Sequence, residues 1–309
     1  MKITVGIPFF NCESTLADAI RSVFAQTRED WELILLDDGS RDGSLAIANA
    51  VQDDRVRVVS DGVNRGLVAR LNQLAELARG EYFVRMDADD LMHPLRLERQ
   101  IGLLDERTDL DGVAGGAWLI DSQMRVRSKR CCGRREFSGR ELLVGRGPVH
   151  PTVVMRKTWI ETHPYDADYF RAEDVELWCR AFAGGSFAFT ELPEALLFYR
   201  EDHTVNASKI VAGYRTNSRI IKRYGPRLIG RRRTYLELGR SQLKQYVCRL
   251  LCAAGQSKTY LALRAQQPIT PVEKAAAMEV LHAVRQTPVP GFACKRVTET
   301  IREEVAAVR

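Results

Sequence analysis

The run Val84-Arg85-Met86-Asp87-Ala88-Asp89-Asp90 places three carboxylates within four residues at the end of a short apolar strand pattern. Like charges held that close repel, and burying them unpaired costs on the order of several kcal/mol. The chain must therefore end this strand where either water or a counter-charge reaches it. A divalent cation relieves the crowding, and hard carboxylate oxygens suit Mg²⁺ or Mn²⁺. Sites of the Mg²⁺ type use few protein carboxylates and complete their shell with water and substrate phosphates. Alone, the run reads first as a solvated acidic turn; the rest of the chain reverses that weighting.

With 309 residues, 45% hydrophobic and 28% charged, the chain has the composition of a globular protein with ample core. No apolar run is long enough for a membrane-crossing helix. The opening MKITVGIPFF runs directly into a strand pattern, without the basic, apolar and small-residue regions of a secretory signal, so a cytoplasmic location is expected. Seven scattered cysteines, including adjacent Cys131 and Cys132, and Cys248 and Cys252 on one helix face, read as reduced thiols. The net charge of +6 conceals an asymmetry: residues 211–309 carry 19 Lys and Arg against 6 Asp and Glu, a local +13, which leaves −7 for residues 1–210. The two parts face different surroundings.

Residues 1–120 alternate strand and helix patterns. Ile3 to Ile7 is a strand stopped by Pro8; Leu16, Ala19, Ile20, Val23 and Phe24 follow at helical spacing, with Ser14 as the expected cap. Leu33 to Leu36 is a continuous apolar run, as in a strand covered on both faces. Val56–Val59 and Tyr82–Met86 read as further strands, with helices over 45–51, 67–78 and from Pro94 through Leu104. This order implies a mostly parallel sheet with right-handed crossovers and a ligand crevice at the strand carboxyl ends, where Asp37-Asp38 and Asp87-Ala88-Asp89 would converge. Residues 112–200 have shorter strands, expected at 113–120, 152–155, 187–189 and 195–199, and a helix over 174–182. From Asn206 onward the pattern is helical and basic.

Several segments then fall in register: Val5-Gly6-Ile7-Pro8-Phe9-Phe10-Asn11, the span Gln26 to Ser44, Asn64-Arg65-Gly66-Leu67, Gly80 to Asp90, His150-Pro151-Thr152, Ala172-Glu173-Asp174-Val175-Glu176-Leu177-Trp178, and Tyr199-Arg200-Glu201-Asp202-His203. In order and spacing the chain resembles the inverting family-two glycosyltransferases of GT-A fold, over about residues 1–205, and most closely the bacterial branch that builds surface polysaccharide and lipopolysaccharide. The resemblance implies an α/β GT-A fold, Rossmann-like with a mostly parallel central sheet. It also implies a nucleotide-binding half at 1–110, an acceptor-binding half at 111–205 and a helical C-terminal appendage at 206–309.

On that resemblance Pro8 and Phe10 flank the base of a UDP-sugar, and Asp38 accepts a hydrogen bond from it, a fitting role for an acceptor-only group. Asn64, Gly66 and Arg70 line the base and diphosphate, Asp87 is the ribose-side carboxylate and a metal ligand, and Asp89 binds Mn²⁺ or Mg²⁺. His203 reaches the metal or pyrophosphate when a segment closes, and Arg200 pairs with the diphosphate. Asp174 is the general base that deprotonates the acceptor hydroxyl, with Glu173 orienting it; acids at a helix start also favour the helix dipole without any catalytic role. His150 and Trp178 belong to the acceptor side. Asp90 is a weaker metal candidate, or a cap for the helix after Pro94. Gly115-Gly116 and the insert Cys131-Cys132-Gly133-Arg134-Arg135 depart from the motif set and leave the acceptor open.

Beyond Asn206, Arg215, Arg219, Lys222, Arg223, Arg227 and Arg231-Arg232-Arg233 interleave with Tyr214, Tyr224 and Tyr235. A solvated helix face and a nucleic-acid surface are the alternatives to contact with an anionic membrane surface, which tyrosines and a polyprenyl- or lipid-linked acceptor favour; no groove-reading motif supports nucleic acid. The expected function is metal-dependent, inverting transfer from a nucleotide-sugar, UDP-linked by resemblance, to a glycan or lipid-linked acceptor at the inner face of the plasma membrane. The rivals are a nucleotidyltransferase, which would want a glycine-rich loop in place of Pro8-Phe9-Phe10-Asn11, and a catalytically silent binding protein.

Overall fold

The computed structural model describes residues 1–130, 133, 136–201, 207–253 and 267–292. Strand β1 (Ile3–Phe9) lies at the centre of four parallel strands, paired with β2 (Trp31–Asp37) on one side and β4 (Tyr82–Arg85) on the other; β3 (Val56–Ser60) extends the β2 side. Their helices, α1 (Leu16–Phe24), α2 (Ser44–Asn49) and α3 (Leu67–Leu77), supply the crossovers. Every residue of β1 and β2 is buried, which is what their unbroken apolar runs require of strands covered on both faces. Each fully buried Ile or Leu there contributes about 1.5–3 kcal/mol.

Past β4 the sheet becomes mixed. The short β5 (Leu91–Met92) and helix α4 (Arg96–Glu106) precede β6 (Gly112–Ile120), β7 (Val126–Arg130), helix α5 (Gly139–Leu143) and β8 (Val154–Arg156); β8 runs antiparallel to both β4 and β6. Helix α6 (Lys157–Thr162), helix α7 (Glu173–Gly184) and β9 (Phe189–Arg200) complete this half, and the sheet order is β3-β2-β1-β4-β8-β6-β9-β5 with β7 on β6. Parallel pairing thus holds for the first four strands and for β6 with β9, and the rest is antiparallel.

Local expectations shift in three places. Ser14 does not cap α1: Thr15 occupies the cap position, and the Cys12 carbonyl takes the Thr15 and Leu16 amides instead. His150–Thr152 form a 3₁₀ turn, so the strand expected at 152–155 starts at Val154. The two strands expected at 187–189 and 195–199 are one, β9, whose register against β6 slips around Gly116 and which exposes Pro193 and Glu194 at its middle.

The C-terminal helices pack on two different faces. Helix α8 (Ala207–Leu228) lies against α5 and α7, and α9 (Arg231–Ala253) lies along α8. Helix α10 (Pro271–Gln286) instead buries Ala277, Leu281 and Val284 against Leu91, Ile120, Val126 and Phe198, tied by Arg285 to Asp18 and Lys129 to Glu273. Among the described residues, no helix is long and apolar enough to cross a membrane.

Candidate functional site

The chain crosses from β1 to β2 on one side and reaches β4 on the other, so a crevice opens between the ends of β1 and β4, the place where such sheets bind ligands. A cavity of about 470 Å³ lies there, walled by Pro8, Phe10, Asn11 and Cys12 after β1, by Asp87 and Asp89 after β4, and by Arg200 at the end of β9. Phe10 is exposed at its lip and Asn11 takes a left-handed backbone, its side chain receiving the Arg41 amide at 2.8 Å. Five residues expected from separate motifs, Pro8, Phe10, Asp87, Asp89 and Arg200, therefore share one wall.

Asp87, Asp89 and Asp90 bring carboxylate oxygens within 4.8 Å of one another. Partial desolvation, and then the charge of Asp87, push the Asp89 carboxyl up to about 6 although its side chain reaches solvent. Asp90 is buried and its carboxyl is raised further, first by burial and then by Asp89 and Asp87. One of its oxygens accepts the Arg200 amide at 2.9 Å; the other is buried and has no hydrogen-bond partner among the described residues. Asp90 therefore does not cap the following helix. A crowded set of hard oxygens with one orphaned atom fits Mn²⁺ or Mg²⁺. Arg200 packs onto this turn, its Nε donating to the Asp89 carbonyl at 3.0 Å.

Arg85, which the motif pattern did not single out, links the two acidic clusters. It is buried, and its Nη1 and Nη2 stand 2.8 and 2.7 Å from the two oxygens of Asp87, a bidentate pairing that leaves Asp87 only its remaining lone pairs for a cation. Its charge also acts on Glu173 and Asp174 at the start of α7. Burial raises both of those carboxyls, Glu173 further through Asp174, while the Val175 amide and Arg85 pull Asp174 back. Glu173 is buried, its Oε2 without a hydrogen-bond partner among the described residues; Asp174 is half-buried.

The loop leading to this pair is held from α8. Thr216 donates to the Phe170 carbonyl and Arg219 to the Asp168 carbonyl at 2.9 Å, while Arg171 adopts a positive φ of 70°, a strained conformation for a side-chain-bearing residue. Glu176, one turn into α7, takes the Tyr224 hydroxyl of α8 at 2.5 Å and Arg180 at 3.0 Å. Such strain is invisible in the sequence.

Asp38, Gly66 and Arg70 form a separate cluster beside the crevice. Asp38 accepts the Arg65 amide at 2.7 Å, the Gly66 amide at 3.1 Å and Arg70 Nε at 2.9 Å, while Arg70, fully buried, also reaches Asp61 at 2.6 Å and the Val63 carbonyl. Most of the Asp38 acceptor capacity is thus used in shaping the loop. The left-handed Gly39 permits that shape: a Cβ there would stand 2.9 Å from the Asn64 backbone nitrogen. Asn64 is exposed.

His150 and Trp178, expected on the acceptor side, are instead core residues. Trp178 is 1% exposed and packs with Trp159, Phe187 and Phe189; His150 Nε2 lies 2.8 Å from the Tyr165 hydroxyl and its ring meets Trp178 edge-on. Burial and then Arg85 hold His150 well below its usual range, hence neutral. His203 and the Cys131-Cys132 insert, apart from Gly133, lie outside the described residues.

Comparison with known proteins agrees with this geometry. Residues 4–150 match the model of glycosyl transferase family 2. EpsE of Bacillus subtilis, named as a candidate glycosyltransferase, is 36% identical over 209 residues, 65% of this chain and 73% of EpsE. WfgD of Escherichia coli, a UDP-Glc:α-D-GlcNAc-diphosphoundecaprenol β-1,3-glucosyltransferase, is 25% identical over 57% of this chain and 68% of its own length. Among solved structures, residues 1–349 of Staphylococcus aureus TarS with UDP-GlcNAc superimpose with a TM-score of 0.57 at 18% identity, covering 72% of this chain and 67% of that one. The mannosyltransferase PcManGT of Pyrobaculum calidifontis, with GDP-Man and Mn²⁺, gives 0.57 at 15% identity over 92% and 85%. Both share the fold.

Proposed function

Because the chain belongs to glycosyl transferase family 2, we propose that it moves one sugar, with inversion, from a UDP-sugar to a glycan or lipid-linked acceptor in surface polysaccharide synthesis. The observation that carries this reading is the carboxylate-lined crevice between β1 and β4, coupled through Arg85 to a second carboxylate pair on α7. Residues 1–110 hold the donor, 111–205 present the acceptor, and 206–309 form an appendage on this unit.

Phe10 and Pro8 provide an apolar lip for the base, and the loop that Asp38 organises through Gly66 and Arg70 closes its other side. Arg200 offers a cation to the diphosphate. Asp89, with the free lone pairs of Asp87 and the orphaned oxygen of Asp90, would hold Mn²⁺ or Mg²⁺. Bound there, the ion offsets charge on the departing nucleotide. Asp174 takes the proton of the acceptor hydroxyl as that oxygen forms its bond to the anomeric carbon and the bond to the diphosphate breaks. Burial raises the pKa of Asp174, which makes its carboxylate a stronger base than that of an exposed aspartate, provided the pH keeps it ionised. Glu173 orients the acceptor. The acceptor reaches the site at the cytoplasmic face of a membrane, where a lipid carrier would present it.

A panel of UDP-, GDP- and dTDP-sugars, assayed with Mn²⁺ for nucleoside diphosphate release, tests the proposal. UDP release from one donor is expected; release of pyrophosphate, or of nothing from any donor, contradicts it.

A further inference from the structure

Helix α9 is built inside out. Its buried face carries Thr234, Glu237 and Ser241 with Cys248, and beside the half-buried Leu238 it meets its neighbours through polar contacts: Ser241 with Ser218 at 3.1 Å and Glu237 with Arg140 at 2.8 Å, Glu237 also pairing with Arg240 of its own helix at 2.7 Å. Its exposed face carries Tyr235, Leu236, Leu243, Tyr246, Val247 and Leu250, each 40–74% accessible. At 3.6 residues per turn these six fall within about a third of the helix circumference. A helix packed against a protein ordinarily does the reverse, and a contiguous exposed apolar stripe marks a surface meant for something other than water.

The rim of the stripe names that surface. Arg231, Arg232 and Arg233 open the helix, and Arg240, Lys244 and Arg249 flank it, all exposed. The one acid of α9, Glu237, is buried and already paired. Apolar side chains with tyrosines, whose exposed charged border is cationic throughout, form an interfacial helix face complementary to anionic headgroups. Other cations of the basic region serve the fold: Arg219 holds the Asp168 carbonyl, and Arg223 donates to the Tyr169 hydroxyl at 3.2 Å.

We propose that the exposed stripe of α9 and its arginine rim seat the protein on an anionic bilayer. Helices α8 and α9 run antiparallel, with Gly225 against Thr234 and Ser218 against Ser241. The middle of α9, Arg240 to Leu243, therefore lies beside Thr216 and Arg219 of α8, which grip the loop before Glu173. Docking there brings the bilayer to the acceptor side of the site, a consequence that rests on the lipid-linked acceptor proposed above; the docking itself does not.

Flotation of the full chain with vesicles of equal parts phosphatidylglycerol and phosphatidylcholine tests it, against vesicles of phosphatidylcholine alone. The wild type should float with the anionic vesicles, and less as salt rises. The double variant Leu243→Gln, Val247→Gln should bind about tenfold more weakly. Arg231→Gln with Arg232→Gln should cost about fivefold per charge and abolish the preference for anionic vesicles. Nucleotide release in solution without vesicles should be unchanged in both, since neither touches the crevice. Wild type that fails to float, or a Leu243/Val247 variant that floats like wild type, overturns the proposal. So does a wild-type dimer in sedimentation that the variant dissolves, which would give the stripe to a second copy. Vesicle binding without nucleotide release from any donor would keep the docking and remove the catalytic reading.

Discussion

Two acidic clusters lie within one α/β domain and are treated in opposite ways. Around Asp38 and Asp61, the buried Arg70 and two backbone amides absorb the negative charge, and Asp61 is held far below the ordinary carboxylate range by Arg70 and then Arg65. Around Asp89 and Asp90, Arg85 is committed to Asp87 and Arg200 meets the turn through the Asp89 carbonyl, while the Asp89 and Asp90 carboxyls are raised by burial and then by neighbouring carboxylates. The first cluster is complete within the chain and shapes a loop. The second keeps raised carboxylates at the mouth of a crevice, and it is this cluster that we propose holds a cation and a phosphate-bearing ligand.

The largest effect should be catalytic, at the α7 pair that the charge of Arg85 links to the second cluster. Asp174→Asn keeps the shape of the side chain but removes the proton acceptor, and sugar transfer should fall by about 10² to 10⁴ with UDP-sugar affinity retained. Glu173→Gln should cost less, mainly in acceptor KM. Steady-state kinetics on both variants decide this, and a wild-type rate in Asp174→Asn would move the base elsewhere.

Stability should then move in opposite directions in the two places. Arg70→Met strands the buried Asp38 carboxylate and should cost about 3–5 kcal/mol in denaturant unfolding. Asp89→Asn relieves a like-charge contact and should leave the melting temperature, measured without divalent cations, at or slightly above wild type. Equal losses in both variants would show that the crevice carboxylates are structural.

How much of this was legible beforehand follows from range. The parallel core was readable because Leu33–Leu36 and Ile3–Ile7 are locally unmistakable, and the acidic turn because its charges are adjacent in the chain. The antiparallel half was blurred because β5, β8 and β9 are defined by partners far away in sequence. His150 and Trp178 fall in motif positions yet are buried, since a motif records position and not the direction of a side chain. Arg85 was not singled out in the sequence; only the fold pairs it with Asp87 and brings its charge to bear on Glu173. The cations of α9 were visible, but its inversion was not, because the pattern shows which residues share a face and not which face packs.

A smaller effect concerns pH. Asp89 at about 6, with Asp90, Glu173 and Asp174 also raised, binds protons more readily in the native state than in the unfolded chain. Their contribution to stability is therefore present below the raised values and is lost as pH rises through them. Without divalent cations, stability should increase as pH falls from about 7 to about 5, the window between the raised values and ordinary carboxylates. The trend reverses further down as the depressed acids, such as Asp121 at about 2, begin to protonate. Mn²⁺ competes with the protons and should flatten the upper limb. Thermal melts across this range, with and without Mn²⁺, check the sign.

The finest test addresses Arg85. Arg85→Gln removes the charge that pulls Asp174 down, so the acid limb of the pH–rate profile should move to higher pH, while Arg85→Lys should restore its position. An unmoved limb in Arg85→Gln would confine that residue to holding Asp87.

The central claim, that the carboxylate cluster between β1 and β4 binds a nucleotide through a divalent cation, is tested most directly by calorimetric titration of UDP into wild type and Asp89→Ala, with and without Mn²⁺. UDP should bind wild type at least tenfold more tightly when Mn²⁺ is present, and Asp89→Ala should lose that gain while remaining folded. Equal UDP affinity in the two proteins, or no response of wild type to Mn²⁺, would contradict the account.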